Sequence, residues 1–164
     1  MALLDIKKFG DPVLRKRCEP VEKVTKEIKK FIVDMVQTMD KSNGIGLAAP
    51  QVGVLKRIIV VKTDIEGQEF FELVNPKILK KSKETKKEEE GCLSFPKIFF
   101  KVERPKEIEV EGIDINGKKT KIKALGIMAR VLCHEIDHLD GILFIDRLNF
   151  FQKIKFKLLK RGSS

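Results

Sequence analysis

Two histidines are all the chain has, and both stand in the run His134-Glu135-Ile136-Asp137-His138. Residues four apart share one face of a helix. Two imidazoles can therefore point at one ion, with the Glu135 carboxylate beside it to handle a proton. That pattern reads as a metal site with an adjacent general base. A chance match on an ordinary helix is the plain alternative, and the flanks argue against it. Ile127, Met128, Val131 and Leu132 recur at helix spacing, Ile136 and Leu139 extend the apolar surface, and Gly141 supplies a stop. Histidines inside such a pattern are expected to be buried, where they need partners, and a metal is one.

Two histidines do not complete a site, because zinc-type catalytic centres take three protein ligands and keep one position open. The longer motif with a third histidine would need it at 144, where Phe144 stands, and no Glu follows Glu135. Asp140 and Asp146 remain open as ligands, although Asp140 lies only two residues past His138 and should point elsewhere. The better expectation is an upstream cysteine. Cys92 sits in Glu90-Gly91-Cys92-Leu93-Ser94-Phe95-Pro96, where Gly and Pro suggest irregular, extended backbone able to present a thiolate and free N–H groups. A buried free cysteine is the bland reading of that segment. A structural metal centre on an RNA-binding protein is the rival to an enzyme, but structural sites are closed by four protein ligands and only three good ones are evident.

The elements that must hold these residues follow from periodicity. Asp11-Pro12 signals a turn. Thr25 is placed to cap a helix running to about Asp40, with Ile28, Phe31, Ile32, Met35, Val36 and Met39 on its inner face and Lys26, Lys29, Lys30 and Asp34 on the other. Gly44 to Gln51 reads as a close-packed turn leading into a strand; it lacks the Lys-Ser/Thr ending of a phosphate loop. Residues 57–61 and 70–74 read as strands joined through a turn at Glu66-Gly67, and Lys80 to Glu90 as an exposed strand or loop. Residues 108–113 alternate as a half-buried strand, Asn116-Gly117 makes a hairpin turn, and Lys119 to Lys123 returns. The metal helix follows, then a terminal helix marked by Phe151, Ile154, Leu158 and Leu159 with Lys153, Lys155, Lys157 and Lys160 around it. Glu90 and Asp137 are candidate supporting carboxylates, with Arg104 a partner for either.

At 164 residues with 42% hydrophobic and 35% charged residues, the chain suits a single domain over 1–164 with a sizeable core. No apolar run approaches the about 20 residues of a membrane span, and the N-terminus is too broken by charge for a secretory signal. Three widely spaced cysteines are not a disulfide framework, so a cytoplasmic, reducing location is expected. The net charge of +10 permits an anionic partner without specifying one, and the scattered lysines read first as a solvated surface.

Three segments in order, Gly44-Ile45-Gly46-Leu47-Ala48-Ala49-Pro50-Gln51, Glu90-Gly91-Cys92-Leu93-Ser94 and His134-Glu135-Ile136-Asp137-His138, together resemble peptide deformylase. The likeness extends from Gly10-Asp11-Pro12-Val13-Leu14 to the region of Asp146. It implies an α+β fold, with small antiparallel β-sheets packed around a central helix that carries both histidines, flanked by N- and C-terminal helices. It implies a hydrolase that removes the formyl group from the N-terminal formylmethionine of new proteins. It also implies metal ligands Cys92, His134 and His138, Glu135 as general base and acid, and an oxyanion site from the Gln51 amide and the Leu93 N–H. Gly46 would align the peptide, and Gly44, Ile45, Ile127 and Val131 would receive the methionine side chain. One divalent ion is implied, Fe2+ first and Zn2+, Ni2+ or Co2+ as substitutes. The implied partners are N-formylmethionyl nascent peptides and, through the basic C-terminal helix, the ribosome; a monomer without membrane or direct DNA binding is expected. One departure stands out: Cys133 precedes the first histidine where the family commonly has Gln.

Overall fold

The computed structural model describes residues 2–64 and 69–162. The described residues form three α-helices and seven strands: α1 (Lys26–Lys41), β1 (Gly46–Ala48), β2 (Ile58–Lys62), β3 (Phe70–Lys81), β4 (Thr85–Cys92), β5 (Phe95–Pro105), β6 (Glu107–Ile113), β7 (Lys119–Leu125), α2 (Gly126–Leu139) and α3 (Phe150–Gly162). Five strands form an antiparallel sheet in the order β1-β2-β3-β6-β7, and β4 and β5 form a separate antiparallel hairpin. The architecture is α+β, with α2 at its centre.

β2 explains how the layers stack. Its run Ile58-Ile59-Val60-Val61 is buried on both faces. Ile59 and Val61 pack with Leu73, Ile108 and Val110 against Val131, Leu132, Ile136 and Leu139 of α2. Ile58 and Val60 turn the other way and meet Ile32, Met35 and Met39 of α1. A strand covered on both faces reads as a continuous β-branched run rather than an alternating one. A third cluster, including Phe95, Phe100, Phe144, Leu148 and Phe156, anchors the β4–β5 hairpin onto the chain after α2.

Several expectations hold in detail. Thr25 caps α1, its side chain accepting from the Ile28 N–H, and Asp11 accepts from Val13 N–H to start a 3-10 turn at Pro12–Arg15. Asp114 Oδ1 accepts from the N–H groups of Asn116 and Lys118 to close the β6–β7 hairpin, with Gly117 at φ 81°. The Glu66-Gly67 turn lies outside the described residues. Other expectations need correction. Asp34, read as an outer-face residue, is buried and accepts from the Ala2 N–H at 3.0 Å. Gly44 to Gln51 is not merely a turn into a strand: Gly46–Ala48 is itself an edge strand, followed by a 3-10 turn at Ala49–Val52. Lys80 to Glu90 divides between the end of β3 and the length of β4, and Glu90 at its end is buried rather than exposed. Glu90 to Pro96 is strand at both ends, Gly91 and Cys92 ending β4 and Phe95 opening β5, with the expected irregularity confined to a register shift at Gly91-Cys92 and a turn at Leu93-Ser94. The terminal helix forms, yet Phe151, Ile154, Leu158 and Leu159 face outward, and Phe156 is its buried contact.

Candidate active site

The two histidines reach the site because α2 is pinned between the sheet and the hairpin. Apolar residues on the sheet-facing side of α2 leave His134 and His138 on the side that meets β4 and β5. The third group arrives by a register shift. β4 and β5 pair in step from Thr85↔Pro105 to Gly91↔Phe99, then skip so that Cys92 pairs with Phe95. Such an irregularity bends a strand and re-aims a side chain. Here it brings the Cys92 Sγ to 3.4 Å from His138 Nε2. One donor atom each from Cys92, His134 and His138 lies within 4.8 Å of the others. A tetrahedral ion with one sulfur and two nitrogen ligands separates its donors by about 3.3–3.6 Å, so the cluster has the size to hold one.

His134 has the support a ligating histidine needs, whereas His138 Nδ1 is buried without a hydrogen-bond partner among the described residues. The Glu90 carboxylate lies 2.7 Å from His134 Nδ1, which fixes that nitrogen as the bonded one and leaves Nε2 for an ion. The same carboxylate accepts two hydrogen bonds from Arg104, at 3.0 and 2.8 Å, and one from Arg130 at 2.8 Å. Arg104 also donates to Asp137 at 2.7 Å, and Arg147 holds Asp137 from outside. Burial alone would raise the Glu90 carboxyl, but its bonds with His134 and Arg104 outweigh that and hold it well below the usual carboxylate range. Burial likewise lowers His138, which keeps its imidazole neutral as a ligand must be. Burial would lower His134 as well, but Cys92 and Glu90 beside it raise it well above the ordinary histidine range. A bound cation would take that proton's place at Nε2.

Glu135 lies beside the three donors, 5% exposed, with burial pushing its carboxyl up to about 7. A cation nearby would draw it down again. Its Oε2 is buried without a hydrogen-bond partner among the described residues. A carboxylate oxygen left bare in the interior is costly, and one beside a Cys-His-His cluster fits a centre that takes an ion and a water. The space for Glu135 is made by Gly46: a Cβ there would lie 2.5 Å from Glu135 Oε1 and 2.9 Å from Val131 Cγ1. Gln51 closes the other side. Its Oε1 accepts from the Ala48 N–H at 3.0 Å, which turns its Nε2 toward Cys92 Sγ at 3.4 Å and Ser94 Oγ at 3.2 Å.

Cys92, His134, Glu135, Gln51 and Gly46 line one side of a cavity of about 610 Å³. Gly44, Ile45 and Leu93 form part of its wall, Val131 is buried at its base, and Ile45 and Ile127 are 38% and 49% exposed at its rim. His138 does not line the cavity but lies behind these residues, its Nε2 beside Cys92 Sγ. The other ligand candidates are engaged elsewhere. Asp140 pairs with Arg57 at 2.8 Å, and Asp146 is held by Arg15 and caps the Leu143 N–H. Cys133 is buried in the core between α2 and the sheet, apart from the donors. Arg130, Arg147 and Ser94 escaped the sequence reading. Arg130 left a usable signal, because it precedes His134 by four residues and so shares its helix face.

The chain matches the family model described as polypeptide deformylase over residues 3–153. It is 46% identical over 159 residues to the peptide deformylase of Thermodesulfovibrio yellowstonii, covering 96% of each chain. It is 51% identical over 149 residues to that of Halothermothrix orenii, covering 90% of this chain and 95% of the relative. Its fold superposes on the crystal structure of peptide deformylase from Thermotoga maritima with a TM-score of 0.87 at 45% identity, covering 91% of this chain and 99% of the other. For the Synechococcus elongatus enzyme in complex with actinonin the TM-score is 0.91 at 40% identity, covering 97% and 88%. With a Cys-His-His group able to hold an ion, a buried carboxylate beside it and this extent of likeness, the chain belongs to the polypeptide deformylase family, metal-dependent enzymes that remove the formyl group from the N-terminal methionine of new proteins.

Proposed function

We propose that residues 1–164 form one catalytic domain in which Cys92, His134 and His138 hold a single divalent ion, Fe2+ in the native enzyme, and Glu135 moves the protons of formamide hydrolysis. The observation that carries this reading is the meeting of three donor atoms within 4.8 Å beside a buried carboxylate in an open cavity. When bound, the ion supplies Lewis-acid polarisation and acidifies water. The protein's own groups do the rest. Glu135 takes the proton from the attacking water and returns it to the departing amine nitrogen. The Gln51 amide and the Leu93 backbone N–H donate to the oxygen on which negative charge develops, and one such donor is typically worth about 2.7–4 kcal/mol. Gly46 offers backbone from the edge of β1 to align the peptide. Gly44, Ile45, Ile127 and Val131 receive the methionine side chain, which suits an unbranched apolar group.

The reading also takes the enzyme to be a cytoplasmic monomer acting on N-formylmethionyl nascent peptides, without membrane or direct DNA partners. Among the described residues no helix is long and apolar enough to cross a membrane. The ribosome would be met through α3, which carries Lys153, Lys155, Lys157, Lys160 and Arg161 and no acidic residue. The test is deformylation of formyl-Met-Ala-Ser by protein purified without oxygen, with the metal identified by elemental analysis. Turnover should track bound iron, and actinonin should compete with the peptide. Metal-loaded protein that leaves the formyl group in place would overturn the reading.

A further inference from the structure

We propose that Lys8 is a positioning residue for the reaction: its ammonium group fixes the backbone at Leu93 and, with the N–H groups of Lys7 and Phe9, holds the two oxyanion donors in place relative to each other. This rests on the deformylase reading of the same cavity and adds to it a role for a segment outside the three motifs.

The two donors come from separate parts of the fold. Gln51 stands in the 3-10 turn at Ala49–Val52, after the edge strand β1, and Leu93 stands in the turn of the β4–β5 hairpin. The five-stranded sheet and the hairpin are distinct sheets, so among the described residues no strand pairing sets one donor against the other. The segment Lys7-Lys8-Phe9 crosses between them. The Lys7 N–H donates to the Gln51 carbonyl at 2.7 Å, Lys8 Nζ to the Leu93 carbonyl at 3.0 Å, and the Phe9 N–H to the Ser94 carbonyl at 2.9 Å. The Ser94 hydroxyl in turn accepts from Gln51 Nε2 at 3.2 Å, which closes the circuit. The segment is itself anchored, because the Phe9 ring stacks on Phe95 at 4.8 Å and meets Phe156 edge-on at 5.4 Å.

Of these contacts, the one at Leu93 is made by a charged side chain and can be removed alone. Leu93 lies outside the strand ladder, so its two soft backbone dihedrals are not fixed by sheet pairing. Pinning its carbonyl restrains both, and with them the N–H of the same residue. A charged donor suits this task, since such hydrogen bonds are roughly twice as strong as neutral ones. Lys8 is exposed and lines the cavity, so its substitution should leave the core intact. An oxyanion donor removed outright costs about 10²–10³-fold in kcat, and one kept but loosened should cost about tenfold. The oxyanion forms only on the way to the transition state, so the loss should fall on kcat and spare KM.

The test measures kcat and KM on formyl-Met-Ala-Ser for the metal-loaded wild type, Lys8→Met and Lys8→Arg, with Tm and metal content on the same samples. Lys8→Met keeps the stem and loses the donor, and should lower kcat about tenfold at unchanged KM, Tm and metal. Lys8→Arg can still donate to Leu93 and should recover most of that loss. Unchanged kcat in Lys8→Met, an equal loss in both variants, a loss carried by KM, or a loss in proportion with lowered Tm or lost metal would overturn the inference. Each of those results leaves deformylation by the wild type standing and so sinks this inference alone. Failure of the metal-loaded wild type to remove the formyl group would take the deformylase reading with it.

Discussion

Replacing Glu90 by Gln keeps the shape of the side chain and removes its charge at the point where the site's scaffold converges. Three hydrogen bonds from Arg104 and Arg130 end on this carboxylate, and its Oε1 lies 2.7 Å from His134 Nδ1. Both guanidinium groups are almost wholly buried, at 4% and 6% exposure. The substitution offers an N–H₂ donor to groups that are themselves donors and leaves the cations undercompensated, although Arg104 keeps Asp137. Breaking a buried pair costs about 3–5 kcal/mol, out of about 5–15 kcal/mol for a whole domain. The variant should therefore fold but unfold at markedly lower denaturant. The effect has a pH signature. A carboxyl held low in the folded state stabilises above its unfolded value of about 4.3 and loses that contribution as pH falls through its folded value. The gap between wild type and Glu90→Gln should be full at pH 7 and begin to close below about pH 4. A second consequence is at the ion: loss of a carboxylate behind a ligating histidine weakens metal affinity by about 10–100-fold. Urea unfolding of the metal-free proteins at both pH values, with a competitive chelator titration at pH 7, measures both. A stability loss under about 1 kcal/mol with native metal affinity would refute the view that this network organises the site.

Cys92→Ala and His138→Ala should each lose most of their bound metal, read by elemental analysis; full metal at native affinity in Cys92→Ala would return attention to other carboxylates. Gly46→Ala places a methyl 2.5 Å from Glu135 Oε1, so it should displace that carboxylate and lower kcat by about tenfold or more, given that a misplacement of about 1 Å can cost about 10²-fold. Unchanged kcat in that variant would mean that Glu135 has room the structure denies it. Val131→Asp puts an unpaired charge at the base of the cavity and should raise KM for formyl-Met peptides beyond any loss of folded protein; an unchanged KM would locate the methionine pocket elsewhere.

What was legible in the sequence was local. α1 shows its 3.6-residue stripe and its Thr25 cap, and Asn116-Gly117 announces its hairpin, because each signal lies within a few neighbouring residues. The His134–His138 pair belongs to the same class. The harder features were set by distant partners. Lys80 to Glu90 looks like a solvated charge run, yet pairing with β5 alternates its faces and turns Glu90 inward to Arg104 and to Arg130, 40 residues away. The skip in register between Gly91 and Cys92, which aims the thiol, depends on how the hairpin packs against α2 and leaves no local mark. Periodicity alone puts Asp34 on the outer face of α1, and the backbone that meets it there, the Ala2 N–H, comes from 32 residues earlier in the chain. On α3 the apolar spacing is a true helix signal, but periodicity does not say which face the rest of the chain covers.

The central claim is that Glu135 moves protons without holding the ion. Turnover of formyl-Met-Ala-Ser by Glu135→Gln, with metal content measured on the same sample, tests it most directly. Glu135→Gln should keep a full equivalent of metal and lose about 10²–10⁴-fold in kcat. Near-normal turnover with the metal retained would remove Glu135 from the chemistry, and loss of the metal would make it a ligand instead.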